Sequence, residues 1–280
     1  MKKILVFYHG RCADGTGAAW VAWKKFGNKA EYLPIEPREQ LKTLPKNREI
    51  YLLDNSYPAV YLKKLAKAGN RVTIIDHHKS SEKDVEFAQN GVFDLNHSAA
   101  VLTWEFFFPK KPTPKLLLHI EDFDLWKFTM ADTKKVSAFF AWAGFEIGEF
   151  NLLMKQFATP AKKKKMLGKA HILIENEDRL AERLLKNAEL VSFSGHKVLA
   201  VNSPILNSQI GARLWQIKGP FSIVWHERGG RRYFSMRCDK EGTFDVSKVA
   251  ARYGGGGHPA ASAFSLPLSK PFPWKVLGGR

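Results

Sequence analysis

Three short apolar runs each end in residues able to hold a metal ion. Ile4-Leu5-Val6-Phe7-Tyr8 leads into His9, with Asp14 and Gly15 in the loop that follows. Ile50–Leu53 leads into Asp54, and Arg71–Ile75 leads into Asp76-His77-His78. Carboxylates with imidazoles suit Mn²⁺, and less often Mg²⁺, Fe²⁺ or Co²⁺. An aspartate can bridge two ions, and two ions about 3.5–4 Å apart can activate a water and stabilise an in-line displacement at phosphorus. A lone aspartate after a strand is ordinarily a turn or cap residue. Three such strand ends in one series are harder to dismiss. A further acidic segment, His119-Ile-Glu-Asp122-Phe-Asp124, closes a predicted helix. Acids there oppose the helix dipole, a cost that a metal would offset. An ordinary acidic loop is the alternative.

These residues converge only if the elements bearing them form one parallel sheet. Ile4–Tyr8, Tyr32–Ile35, Ile50–Leu53 and Arg71–Ile75 read as strands. Between them, Gly17–Phe26 reads as a helix that packs Ala18, Ala19, Ala22, Trp23 and Phe26 inward, and Pro58 opens a helix closed by Gly69. This βαβ rhythm predicts a parallel sheet covered on both faces. In such sheets a ligand site lies beyond the carboxyl ends of the strands. Ser98–Phe108 and Pro114–Ile120 read as helices, and residues 161–190 as one long basic amphipathic helix with Leu173, Leu180, Leu184 and Leu185 on its apolar stripe. Beyond it Lys197–Val201, Phe221–Trp225 and Arg232–Arg237 are strand-like, which predicts a smaller α+β second domain.

The 280 residues, 45% of them hydrophobic, suffice for about two domains. No apolar run is long enough to cross a bilayer, and Ile4–Tyr8 is too short for a secretory leader, so a cytoplasmic protein with no membrane partner is expected. Two distant cysteines, Cys12 and Cys238, form neither a disulfide framework nor a zinc motif. The net charge of +17 favours polyanions such as nucleic acids and nucleotides. A solubilising surface is the alternative, above all for the Lys162–Lys165 run, which reads equally well as a solvated helix face.

In this order, His9-Gly-Arg-Cys-Ala-Asp14-Gly15, Asp54, Asp76-His77-His78 and the Asp122/Asp124 segment resemble the four motifs of DHH phosphoesterases. Gly254-Gly-Gly-Gly-His258-Pro-Ala-Ala resembles the glycine-rich signature of the DHH-associated C-terminal domain. The resemblance implies an α/β, bilobal protein: a parallel-sheet catalytic domain over residues 1–155, a helical connector over 156–190 and a substrate-binding α+β domain over 191–280. It implies His9, Asp14, Asp54, His77 and one of Asp122 or Asp124, with Asp122 taken first, as ligands of two ions. Mn²⁺ is the expected metal, with Mg²⁺ or Co²⁺ as substitutes. Asp54 would be the bridge, Asp76 would orient His77, and His78 would face the phosphate. In the second domain Arg237, Gly256, Gly257 and His258 would bind substrate. Independently of the family, a glycine-rich loop lets backbone N–H groups approach a phosphate, and an arginine can grip it bidentately.

Two departures stand out. Many family members place a second aspartate two residues after the first, and counting from Asp14 that position is Thr16. Four residues rather than three separate His9 from Asp14. Both suggest that one ion is weakly held. Cys12, inside this loop, reads as a buried free thiol, because soft sulfur does not suit a hard-cation site. The expected function is a metal-dependent phosphodiesterase, exonuclease- or oligoribonuclease-like, acting on short single-stranded oligonucleotides or linear dinucleotides. Rivals are a 3′-phosphoadenosine 5′-phosphate phosphatase, a cyclic-dinucleotide phosphodiesterase and a nucleic-acid-binding protein with a degenerate site. The natural substrate and the oligomeric state, a homodimer included, stay open.

Overall fold

The computed structural model describes residues 2–279 except 37, 38, 40 and 42. The chain divides into two compact units, residues 1–174 and 175–280.

In the first unit β1 (Ile4–His9) runs into α1 (Ala13–Phe26), then β2 (Ala30–Ile35), β3 (Glu49–Leu53), α2 (Ala59–Lys67), β4 (Arg71–Asp76), the single turn α3 (Glu82–Val85) and β5 (Asn90–Phe93). The five strands form one sheet in the order β2-β1-β3-β4-β5, and every pairing is parallel. Alternate residues of each strand face opposite sides, so two cores form. Val6, Tyr8, Tyr51, Leu53 and Ile75 pack under the helices on one side. Leu5, Phe7, Ile50, Leu52 and Ile74 pack under α2 and α3 on the other. The first layer is completed by α4 (Ala99–Phe107), α5 (Lys115–Asp124), α6 (Thr133–Ala143) and α7 (Ile147–Phe157).

The expected single helix over 161–190 is two helices, α8 (Pro160–Leu167) and α9 (Ala170–Leu185), interrupted at Gly168. Glycine gives up more backbone freedom in a helix than any other residue, which favours a break there. The boundary between the units falls inside α9.

The second unit continues with β6 (Glu189–Phe193), β7 (His196–Asn202), α10 (Asn207–Ile217), β8 (Phe221–Arg228), β9 (Arg231–Cys238), α11 (Val246–Ala251), β10 (Gly256–His258), β11 (Ala261–Pro267) and β12 (Lys275–Gly279). Its seven-stranded sheet has the order β10-β11-β9-β8-β7-β6-β12, antiparallel except for the parallel β7–β8 pair. Ile210 and Leu214 of α10 pack with Ala181 and Leu185 on one face, and Val246 and Val249 of α11 pack on the other. Among the described residues no helix is long and apolar enough to cross a membrane.

Candidate metal centre

The carboxyl ends of β1, β3 and β4 lie side by side in the first sheet, because β3 pairs with both neighbours in parallel register. They bring His9, Asp54 and Asp76-His77-His78 together. Asp54 follows β3 with φ +54, a left-handed conformation uncommon for a residue with a Cβ. Its amide donates to Ile75 O at 2.9 Å, which fixes this turn onto β4. Strained backbone of this kind gathers at functional sites.

The loop from β1 to α1 brings Asp14 into the same space. A Cβ at Gly15 would lie 2.1 Å from the His9 carbonyl oxygen, so only glycine lets α1 start this close to the strand. Asp14 is buried, and its two oxygens accept from Ala99 N and Ala100 N at 2.7 and 2.9 Å. Those amides open α4, where Ser98 is the N-cap, so a helix N-terminus faces the carboxylate. Nothing beyond the Ser98 cap signals this contact in the sequence.

Among the described residues these side chains form overlapping ligand groups. Asp14, His77 and Asp124 offer atoms within 4.8 Å of one another, and so do His9, Cys12 and Asp54. His77 Nε2 lies 3.5 Å from Asp14 Oδ2, 3.5 Å from Asp54 Oδ1 and 3.4 Å from Asp124 Oδ2. Asp54 therefore touches both groups, its Oδ2 standing 3.1 Å from His9 Nδ1.

Several residues are placed otherwise than expected. Asp122 is outside the cluster. Its carboxylate accepts from Thr129 N, Thr129 Oγ1, Met130 N and Thr133 Oγ1 at 2.5–3.0 Å and ties the end of α5 to the start of α6. Successive helical residues turn by about 100°, so Asp124 faces nearly opposite to Asp122 and meets His77 instead. The dipole cost of Asp122 is thus offset by four donors rather than by a metal. Thr16 is buried and donates to Phe145 O at 3.1 Å, away from the cluster. The pair at two-residue spacing that enters the cluster is Cys12 and Asp14. Cys12 is half-buried rather than enclosed in the core. Asp76 Oδ1 holds the ring of His78, Nδ1 to Oδ1 being 2.8 Å, and meets His77 through its backbone amide at 2.7 Å. The expectation that Asp76 orients the His77 ring gives way to this contact with His78.

The electrostatics describe a site in need of positive charge. Burial pushes the Asp54 carboxyl up, but the imidazoles of His77 and His9 overcome this and hold it well below its usual range. Burial, with Asp54 and Asp124 adding repulsion, raises Asp14 to about 7. Burial lowers His77, yet Asp54, Asp124 and Asp14 outweigh it and bring it to about 10. His78, opposed by burial and favoured by Asp76, reaches about 8. Protons on the imidazoles neutralise the carboxylates, a role that bound cations perform in metal sites. Asp54 Oδ1 and Asp76 Oδ2 are buried acceptors with no hydrogen-bond donor among the described residues. A buried carboxylate oxygen without a donor is costly, so the donor set and the orphaned oxygens both fit divalent cations.

In the second unit Arg237 of β9 donates to Ser208 Oγ at 2.7 Å and Met236 O at 2.9 Å. Its stem lies against Gly211, where a Cβ would meet Arg237 Cγ at 2.7 Å. The register pairs Ala261 with both His258 and Arg237, so these three occupy one row and one face of the sheet. Gly256 and Gly257 belong to β10 rather than to an open loop. At Gly257 φ is +135 and a Cβ would meet Ala261 O at 2.6 Å, so close strand packing already demands glycine there.

The chain is 30% identical over 298 residues to an uncharacterized protein of Acanthamoeba polyphaga mimivirus, covering 95% of this chain and 70% of that one. It is 27% identical over 285 residues to oligoribonuclease NrnB of Bacillus subtilis (strain 168), covering 90% and 70%. No family model matches. Among solved structures, the DHH domain of a member of a ribosomal-protein family superposes with a TM-score of 0.58 at 12% identity, over 98% of this chain and 83% of that one. The chain has the fold of DHH-domain proteins. The same fold also appears in RecJ of Thermus thermophilus, solved in complex with Mn²⁺, with a TM-score of 0.52 at 15% identity over 96% of this chain and 50% of that one. Within this DHH-fold protein Asp76-His77-His78 is the tripeptide at the end of β4, central to the cluster just described.

Proposed function

We propose that this DHH-fold protein is a metal-dependent phosphodiesterase that hydrolyses short single-stranded oligonucleotides or linear dinucleotides. The observation that carries the reading is the buried Asp54 carboxylate, set between the His9 and His77 groups with one oxygen lacking a donor. His77, Asp14 and Asp124 would hold one divalent ion and His9 would hold the other, with Asp54 common to both. Manganese suits the mixed carboxylate–imidazole donors, and magnesium or cobalt would substitute. Bound there, the ions would supply an activated water and Lewis-acid stabilisation at phosphorus.

The chain's own residues do the rest. Asp76 fixes the His78 ring through Nδ1, and this imidazole would present or withdraw a proton at the phosphate. Arg237 and His258, in one row of the second sheet, supply donors suited to a substrate phosphate, with Gly256 and Gly257 beside them. The division of labour is thus chemistry in the first domain and substrate grip in the second. A nucleotide substrate agrees with the charge of +17 and with the name of the Bacillus subtilis relative. Because Thr16 lies outside the cluster, it gives no ground for a degenerate site.

The test is product analysis after chelation and after restoring Mn²⁺, on pApA, RNA and DNA two- to five-mers, cyclic dinucleotides and phosphoadenosine phosphate. The expected result is metal-restored cleavage of the linear oligomers. Undiminished turnover in chelator would remove the metal mechanism, and release of phosphate from phosphoadenosine phosphate alone would replace the substrate class.

A further inference from the structure

Cys12 takes no part in the ligand set proposed above, yet its surroundings are those of a ligand. Its sulfur lies 3.3 Å from His9 Nδ1 and 3.2 Å from Asp54 Oδ2, and those two atoms are 3.1 Å apart. A single ion with a thiolate at about 2.3 Å and nitrogen and oxygen at about 2.0–2.1 Å would set such atoms roughly 3.0–3.6 Å from one another. The third partner of the triangle is a buried carboxylate. Asp54 is 3% exposed, and its Oδ2 completes with His9 and Cys12 a group of donor atoms within 4.8 Å of one another, while its Oδ1 lies 3.5 Å from His77 Nε2 in the neighbouring group.

Local structure explains how a cysteine comes to occupy this position. Cys12 is the N-cap of α1, with φ −131 and ψ 155, and its sulfur accepts from Gly15 N at 3.1 Å. Aspartate and serine are the usual residues at an N-cap. A cysteine there gives up a strong capping oxygen and puts a soft donor beside His9 and Asp54. Asp14, two residues on, feeds the other group with His77 and Asp124. The two groups therefore differ in kind: one is oxygen-rich with a single imidazole, the other joins sulfur, nitrogen and oxygen.

We infer that Cys12 is a thiolate ligand of the ion held by His9 and Asp54, and that it makes this centre select a thiophilic divalent ion such as Zn²⁺, Fe²⁺ or Co²⁺ over Mn²⁺. The inference rests on the two-ion reading of the cluster. When the ion binds, the Cys12 S–H bond gives its proton to solvent and the sulfur lone pair bonds to the metal, with no change of oxidation state. Thiolate and imidazole favour zinc, iron and cobalt, whereas carboxylate and water favour manganese and magnesium. The neighbouring group keeps the harder preference, so the protein would carry two unlike ions.

The experiment is titration of the metal-free full-length protein with Co²⁺, followed by absorption. The wild type should show a near-ultraviolet sulfur-to-cobalt charge-transfer band together with the visible bands of bound cobalt. Cys12→Asp, which restores a favoured N-cap and so should fold, should keep the visible bands and lose the sulfur band. Competition should show the preference for Zn²⁺ over Mn²⁺ falling at least about tenfold in that variant, the lower end of the loss seen when a metal ligand's partner is removed. Cobalt bound without a sulfur band would overturn the inference and leave the metal-site reading intact. A sulfur band that persists in Cys12→Asp would assign it to Cys238 and likewise overturn it. Absence of any cobalt binding would sink both readings together.

Discussion

His77 Nε2 lies 3.4 Å from Asp124 Oδ2. That contact divides the two aspartates at the end of α5 into separate duties. Asp124→Ala should weaken metal binding at least about tenfold and lower turnover with it. Asp122→Ala should leave metal affinity near that of the wild type and instead cost about 2–3 kcal/mol of stability through lost charge-assisted hydrogen bonds. Calorimetric metal titration and thermal melts on both variants check this. A destabilised Asp124→Ala paired with a metal-deficient Asp122→Ala would reverse the assignment.

Acid should expose the Asp122 contribution. Burial pushes this carboxyl up, but bonds from Thr129 and Thr133 outweigh it and bring it from 3.8 to about 2. A group depressed on folding stabilises above its unfolded value and loses that contribution as pH falls through its folded one. The difference corresponds to about 2 kcal/mol at neutral pH. The stability gap between wild type and Asp122→Asn should therefore be full above about pH 4 and close as the pH falls towards 2. A gap that is constant across this range would show that charge is not what Asp122 contributes.

Asp54 should be the most sensitive of the proposed ligands, because it touches both groups. Asp54→Ala should reduce turnover by more than about 10²-fold at saturating metal, by analogy with removal of a key electrostatic stabiliser. Single-ligand variants of His9 and Asp14, assayed beside it, set the scale. A smaller loss than either would argue against a shared carboxylate.

The row formed by His258, Ala261 and Arg237 predicts a split between substrates. Arg237→Ala and His258→Ala should leave metal binding intact. Both should lower use of an oligonucleotide about ten- to a hundredfold, the worth of one charge-assisted phosphate contact. Bis-p-nitrophenyl phosphate, which offers no neighbouring phosphate, should be affected far less. Steady-state kinetics on both substrates decide, and equal losses would detach the second domain from recognition.

Much of this is readable in the sequence, for identifiable reasons. The strands β1, β3 and β4 are buried on both faces and so announce themselves as apolar runs. Their polar terminations mark the ligand edge. What stays hidden depends on rotation and register. Asp122 and Asp124 are indistinguishable until the helix fixes which side each faces. Cys12 reads as an inert thiol because nothing in one dimension places its sulfur between His9 and Asp54. The glycine run suggests a phosphate cradle, whereas Gly257 is required by its approach to Ala261. β5 escapes a reading by pattern because Asn90-Gly-Val-Phe is short and lies at the sheet edge.

The proposed ligands come from β1, α1, β3, β4 and the last turn of α5, so no local segment carries them all. Parallel strands joined by long crossovers close slowly, because each pairing first costs the entropy of its loop. The centre can exist only once the three strands and α5 have met, near the end of that search. An ion that recognises the finished arrangement, and not the open chain, stabilises by mass action on the folded state. Contacts absent from the folding transition state act on the rate of escape rather than the rate of entry. Metal added to this protein should therefore lengthen the lifetime of the folded state while leaving the speed of refolding nearly unchanged.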